Sequence, residues 1–311
     1  MKAPLFITGI GRSGTTLLQS MFNAHPELAF PPETHFLKRH VVPELSGKLD
    51  RTSKDAFIAR IAQSEELQRT GWDLKAWAER HWEDAPGRFQ KLYRSFLEEW
   101  AEQEAVERPG DKDPMLVEYL PHLHHCFPDA YLIHIIRDPR DVALSRIRSG
   151  WGKGRSLLGH LCEHRTLFDK VRKDGPRYFG DRYIELYYEE LLQAPENSLK
   201  KLCERLPVDY EPAMLNYEGA AEQLVQGDEG EWKKNVLGPL LEKNLGKWKK
   251  EMPKGKLRVT ESALRQTIED AGYEKSNAYS GWTAFWLMLP LSLSGLLFSA
   301  KFYRERVRRD G

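Results

Sequence analysis

Gly9-Ile10-Gly11-Arg12-Ser13-Gly14-Thr15-Thr16 follows directly on the apolar run Pro4-Leu5-Phe6-Ile7-Thr8, and Leu17-Leu18-Gln19-Ser20-Met21-Phe22 continues with helical spacing. Strand, glycine loop and helix are the components of a phosphate cradle: glycines let backbone N–H groups turn inward, and a helix N-terminus adds partial positive charge. Gly9, Gly14 and the two hydroxyls after it have the spacing of a nucleotide-phosphate loop, but Thr15 stands where such a loop carries lysine. The cation is Arg12, inside the loop. A nucleoside triphosphatase needs that lysine together with a magnesium-binding hydroxyl, so the pattern speaks for holding phosphate and against β,γ-phosphate hydrolysis.

A second stretch adds to the first. Tyr131-Leu132-Ile133-His134-Ile135-Ile136 reads as a buried parallel strand and runs into Arg137-Asp138-Pro139-Arg140-Asp141. Asp138 before Pro139 is a helix start, a capping carboxylate followed by proline at the first helical position. Arg137 therefore falls at the C-terminal end of a strand, where open α/β sheets bind ligands, and Ser145 projects from about the second turn of the next helix. Together the two could hold one phosphate. Taken singly, they read as a surface ion pair and a solvated helix position.

The two stretches together resemble the cofactor loops of sulfotransferases that use 3′-phosphoadenosine-5′-phosphosulfate (PAPS). In that family a loop of the form G-x-x-R/K-S-G-T-T holds the 5′-phosphosulfate, and an arginine with a later serine holds the 3′-phosphate. Gly9 to Thr16 matches the first loop, and Arg137 with Ser145 matches the second at the family's spacing. The resemblance continues through Asn23-Ala24-His25-Pro26-Glu27, Pro32-Glu33-Thr34, Asp111-Lys112-Asp113-Pro114, Tyr188-Glu189-Glu190-Leu191 and Gly246-Lys247-Trp248. It is closest to the bacterial and tyrosylprotein branch, where arginine replaces the loop lysine and glutamate replaces a catalytic histidine.

The resemblance implies sulfuryl transfer from PAPS to an acceptor hydroxyl, which requires one base and several cations but no metal. Glu33 matches the base, and burial beside Phe30 and Phe36 would raise its pKa toward a useful value. His35 is the rival base, and a helix-start glutamate is the structural alternative for Glu33. Arg12 and Lys112 are expected around the sulfuryl group, although Lys112 could instead pair with Asp111 or Asp113 on the surface. Gly11, Arg12, Ser13, Gly14, Thr15 and Thr16 would cradle the 5′-phosphate, and Arg137 and Ser145 the 3′-phosphate. Lys247 belongs to a late loop that departs from the cytosolic enzymes' fuller pattern. Tyr188 matches a tyrosine near the adenosine, with packing under a helix as its alternative.

These residues require an α/β fold: a P-loop-like parallel sheet flanked by helices, with a helical insertion at about 38–108. The expected organisation is a sulfotransferase domain over 1–275, then 276–311 with a hydrophobic segment and a basic tail. In the insertion Phe89, Tyr93, Phe96, Leu97 and Trp100 share a helical face. Trp72, Trp77 and Trp82 fit neither a helical stripe nor a strand, and read as structural aromatics or as an acceptor pocket. Arg148 to Ser156 reads as a lid or an ordinary surface loop. With 47 basic and 46 acidic residues in a chain of 311, nothing calls for a nucleic-acid partner. Cys126, Cys162 and Cys203 suggest no disulfide framework and a reducing compartment. The first strand begins too near Met1 to leave room for a cleavable signal peptide.

Competing readings are few. His160-Leu161-Cys162-Glu163-His164 spells the inverted zinc-protease motif without an evident third ligand, and His122, His124, His125 and Cys126 read better as solvated or capping groups than as a metal site. A P-loop-type nucleotide kinase and a non-catalytic nucleotide-binding membrane protein are the alternative functions. The acceptor is expected to be a carbohydrate, lipid headgroup, small molecule or peptide tyrosine. Gly281 to Ala300 carries no charge and precedes Lys301, Arg304, Arg306, Arg308 and Arg309. This is the length of a membrane anchor, kinked near Pro290, attaching the enzyme to the cytosolic face of a membrane, with self-association as the alternative.

Overall fold

A computed structural model describes residues 2–45, 53–83, 85, 87–148, 156–224, 237–238 and 244–276. Five parallel strands form one sheet: β1 (Leu5–Gly9), β2 (Leu28–Ala29), β3 (Arg108–Lys112), β4 (Tyr131–Ile136) and β5 (Tyr183–Tyr187). Their spatial order is β2-β3-β1-β4-β5. The register sets Ile7 opposite Lys112 on one side and Ile133 on the other. The glycine loop after β1, Lys112 at the end of β3 and Arg137 after β4 thus emerge from one edge, the C-terminal edge of a parallel sheet. The expected parallel α/β fold is the observed one.

Both faces of the sheet are covered, which is why β1 and β4 are mostly apolar and do not alternate apolar with polar residues. Phe6 and Leu132 belong to a core built with the insertion helices and the Leu157–Phe179 helix. Leu5, Ile7, Ile133 and Ile135 face the opposite way, into a core shared with Leu17, Leu18, Met21 and Phe22 of the Thr15–Asn23 helix. The segment after β2 stitches the two together, since Phe30 enters the second core and Phe36 the first. Close approach is needed there: a Cβ on Gly110 would sit 2.1 Å from the Phe30 ring.

The insertion lies between β2 and β3 and is helical, as expected. Its longest helix, Arg88–Gln103, buries Phe89, Tyr93, Phe96 and Leu97 on one face. The three tryptophans pack on the aromatic core of the insertion. Trp77 meets Phe36 and Phe96 edge-on, Trp72 lies 5.3 Å from Phe96, and Trp82 lies 5.2 Å from Phe57. Their five-residue period fits no single element because Trp77 lies within the Leu74–His81 helix, while Trp82 is its C-cap and Trp72 precedes it. Among the described residues no helix is long and apolar enough to cross a membrane. Gly281–Ala300, the basic tail and residues 149–155 lie outside the described residues.

The insertion also buries His40, in the π-helical turn Leu37–Val41, with no hydrogen-bond partner on either ring nitrogen among the described residues. Burial, with Arg60 and Arg39 nearby, pushes its pKa down to about 3. An unfolded histidine titrates near 6.5, so the stability contributed by the neutral ring is present above that value and is lost as pH falls toward 3. Replacing His40 by Phe should therefore narrow the stability gap between parent and variant by ~2 kcal/mol between pH 7 and pH 5 in urea unfolding. A gap independent of pH would mean that the buried ring is not neutral.

Candidate active site

The loop between β1 and the Thr15–Asn23 helix gets its shape from two left-handed residues, Arg12 at φ 84° and Gly14 at φ 98°. This is the kind of backbone that points successive N–H groups into one concavity. Gly14 is required twice over, because a Cβ there would also lie 2.4 Å from the Tyr188 ring. The Ser13 N–H closes the turn onto the Ile10 carbonyl at 3.0 Å. No side chain caps the helix, so its first N–H groups face the loop without a capping oxygen. Ser13 and Thr15 are buried, and Gly11, Gly14 and Thr16 are half-buried.

Arg137 lies at the end of β4, as expected, and its two terminal nitrogens donate to the backbone oxygens of Arg12 and Asn244, both at 3.0 Å. Its Nε is buried without a hydrogen-bond partner among the described residues. The guanidinium stands 4.5 Å over the Tyr188 ring. Tyr188 thus packs beneath both Gly14 and Arg137, and burial raises its pKa. Arg12 Nε donates to the Ser145 hydroxyl at 3.2 Å, so the loop arginine and the expected 3′-phosphate serine meet. Burial and the nearby Arg137 lower the Arg12 pKa. Two guanidiniums so close, the Ser145 hydroxyl and inward-facing N–H groups make a site that suits a doubly phosphorylated nucleotide.

Lys112 is not a surface residue. Its side chain is 1% exposed, and Nζ donates to Glu33 Oε2. Neither neighbouring aspartate takes it. Asp111 turns into the insertion core, where the Tyr93 hydroxyl donates to it at 2.6 Å and burial pushes its pKa up to about 7. Asp113 uses Oδ1 to accept the Met115 N–H at 2.7 Å, starting the Pro114–Glu118 turn, and its Oδ2 lies 2.9 Å from His35 Nδ1. His35 Nε2 in turn lies 3.4 Å from Glu33 Oε1. The expected apolar setting for Glu33 is therefore replaced by a charged one, since the rings of Phe30 and Phe36 diverge into the two cores. Glu33 precedes the helical turn and belongs to an irregular segment whose entry is pinned from the first helix: Asn23 brackets Phe30, and Gln19 Nε2 donates to the Pro31 carbonyl at 2.7 Å.

A buried network that the sequence reading did not identify holds the late loop. Asp141 accepts the backbone N–H groups of Gly246 and Trp248 at 2.8 and 2.9 Å. Trp248 Nε1 donates to Asp138, which also pairs with Arg140, and Arg140 reaches Glu261 at 2.8 Å. Lys247 lies half-buried between Gly246 and Trp248. Arg146 supports the glycine loop, donating to the Gly11 carbonyl at 3.2 Å while pairing with Glu163 at 3.1 Å. That pairing explains the apparent zinc motif: Glu163 anchors Arg146, and His164 stacks on Phe168. Among the described residues the one convergent set of metal-capable atoms is Glu33, His35 and Asp113, where the Lys112 ammonium already holds Glu33. A cleft of about 920 Å³ runs beside Asp138, Glu189, Gly246 and Trp248. Arg12, Glu33 and Lys112 do not line it, so the site is defined by their cluster and not by that cleft.

Comparison with known proteins gives the family and the fold. A family model described as the sulfotransferase family matches residues 4–212. Protein-tyrosine sulfotransferase of Drosophila melanogaster is 25% identical over 228 residues, covering 69% of this chain and 40% of that protein. Protein-tyrosine sulfotransferase 1 of Danio rerio is 24% identical over 266 residues, covering 80% and 66%. Nodulation protein NoeE of Sinorhizobium fredii is 30% identical over 148 residues, covering 47% and 31%. The match spans less than two-thirds of the length of each of these relatives. Among solved structures, the sulfotransferase domain of the Synechococcus PCC 7002 olefin synthase aligns with TM-score 0.63 at 24% identity, over 89% of this chain and 98% of that domain. The sulfotransferase domain from the curacin biosynthetic pathway aligns with TM-score 0.63 at 20% identity, over 89% and 99%. These two likenesses bear on the fold, and the family model bears on descent: the chain belongs to the sulfotransferase family.

Proposed function

We propose that this chain moves a sulfuryl group from PAPS to an acceptor hydroxyl, with Glu33 as the base and Arg12 and Lys112 as the cations at the transferring group. The observation that carries the reading is the buried Lys112 paired with the half-buried Glu33 at the same sheet edge as the phosphate loop. A module that only binds nucleotide has no need of a buried ammonium held by a carboxylate, since the ammonium is costly to desolvate. A kinase would need the lysine that Thr15 replaces.

PAPS supplies an activated sulfuryl group on a phosphate leaving group. The N–H groups of Ser13 to Thr16, with the Thr15 and Thr16 hydroxyls, hold the 5′-phosphate in this reading, and Gly11 shapes their approach. Arg137 and Ser145 hold the 3′-phosphate, a role supported by the unpartnered Nε of Arg137. Tyr188 and Lys247 flank the nucleotide. Lys112 neutralises Glu33 at rest and turns to the sulfonate oxygens when these are present, freeing Glu33 to take the acceptor's proton. No resident metal enters this scheme. The acceptor carries a hydroxyl, on a carbohydrate, lipid headgroup, small molecule or peptide tyrosine, and the names of two relatives support the last.

Membrane attachment at the cytosolic face through Gly281–Ala300 is part of this proposal and rests on the sequence, whose uncharged length suits a bilayer core. The full chain should fractionate with membranes, and a chain ending at Ser280 should not. If both stay soluble without detergent, the anchor is removed and self-association becomes the reading of that segment.

The nucleotide assignment predicts that the chain binds the product 3′-phosphoadenosine-5′-phosphate more tightly than AMP, with or without EDTA. Replacing Arg137 by Ala should cost ~2–4 kcal/mol in binding the 3′-phosphorylated nucleotide and much less in binding AMP. Calorimetry measures both. Equal affinities for the two nucleotides in the parent would remove Arg137 and Ser145 from the site.

A further inference from the structure

His35 carries no role in the scheme above, yet its placement is costly. Its backbone lies at φ 52°, one of three non-glycine residues with positive φ among those described. Such a conformation is uncommon outside glycine and persists where the surroundings enforce it. The effect is to aim the imidazole between two carboxylates: Asp113 Oδ2 is 2.9 Å from Nδ1, and Glu33 Oε1 is 3.4 Å from Nε2. Asp113 is the nearer of the two carboxylates and stands as a counter-charge beside Nδ1. The Glu33 contact, at 3.4 Å, is about 0.2 Å outside the ordinary hydrogen-bond range. The His35 and Glu33 side chains are 21% and 17% exposed, so the ring lies at the same depth as the carboxylate that it approaches, with water within reach.

We propose that His35 is a positioning residue that acts through Glu33, its neutral ring withdrawing from Glu33 the proton taken from the acceptor hydroxyl and passing it to water. This deepens the sulfotransferase reading and rests on it. In the step, the acceptor O–H bond breaks as its oxygen bonds sulfur, and the sulfur–oxygen bond to the phosphate breaks with its electron pair left on the phosphate. The proton goes to Glu33 and then to His35 Nε2, while Nδ1–H stays toward Asp113. The imidazolium so formed faces two carboxylates, and Glu33 is a carboxylate again for the next turnover.

The groups that face His35 are Glu33 on its own segment, Asp113 at the end of β3 and Arg39 on the following turn. Lys112 lies across Glu33. Burial works against charging the ring, but Asp113 and Glu33 outweigh burial and Arg39 and hold the pKa of His35 above its ordinary value. The sign of the consequence follows. At low pH His35 is already protonated and cannot take the proton, so turnover should rise with pH through a value above 6.5, an apparent value belonging to the Glu33–His35 pair.

The test uses the full-length protein with radiolabelled PAPS and three acceptors: a tyrosine-containing peptide, p-nitrophenol and an N-acetylglucosamine oligosaccharide. His35→Gln keeps a donor toward the carboxylates but cannot relay a proton. It should lower kcat at least tenfold with KM for PAPS little changed, and should abolish the rise with pH above 6.5. His35→Gln with parental kcat and pH profile overturns the proposal. Histidine Cε1–H titration by NMR needs no turnover and separates this proposal from the reading beneath it. The signal missing in His35→Gln should titrate above 6.5 in the parent and at lower pH in both Asp113→Asn and Glu33→Gln. A His35 signal indifferent to Glu33→Gln overturns the coupling even if sulfuryl transfer is found. Absence of transfer to every acceptor by a parent protein whose His35 signal does respond counts against the sulfotransferase reading and not against the coupling.

Discussion

Lys112 is almost wholly withdrawn from water, and an ammonium in that position needs a counter-charge at contact distance. Glu33 supplies it, reaching across from the segment that follows β2. That one interaction sets conditions on much of the molecule. β3 must end beside β1, the segment carrying Glu33 must be fixed at both ends, and the neighbouring aspartates must turn elsewhere. The parallel register meets the first condition. Phe30 and Phe36, anchored in opposite cores, meet the second. The Tyr93 hydroxyl donates to Asp111, and Asp113 accepts the Met115 N–H as a helix cap, which meets the third.

The glycine-loop side of the site is held by charge in a similar way. Arg146 joins the glycine loop to Glu163 on the Leu157–Phe179 helix, and Asp141 joins the late Gly246–Trp248 turn to the helix after β4. Arg140 lies 3.7 Å over the Trp248 ring and ties that tryptophan to Asp138 and Glu261. These ions are fully partnered and buried, where removing one partner is far more damaging than the pair is stabilising. Their value is geometric, because a phosphate site needs its donors held before the ligand arrives.

What was legible in the sequence was whatever depends on local pattern. β4 is an uninterrupted apolar run and was visible, as were the glycine loop and the Asp138-Pro139 helix start, whose Asp138 Oδ1 accepts the Arg140 N–H at 2.9 Å. β3 reads Arg-Pro-Gly-Asp-Lys, which no strand propensity favours; it is a strand because β1 and β2 pair with it. The same limit applies to the site. Glu33 and Lys112 could be named from their motifs, but that they touch each other, and that His35 and Asp113 complete the group, follows from long-range packing. The role of Glu163 was hidden for the same reason, since Arg146, its partner, lies on a different helix.

The central claim is that Glu33 removes the acceptor's proton while the arginines and the loop hold the nucleotide. The direct measurement is transfer of label from radiolabelled PAPS to acceptors in a cell extract, in EDTA, by the parent and by Glu33→Gln, with nucleotide affinity recorded for both. The account predicts transfer by the parent and a loss of about two to four powers of ten in the variant, with PAPS affinity nearly unchanged. A variant that keeps parental turnover and pH dependence would contradict it.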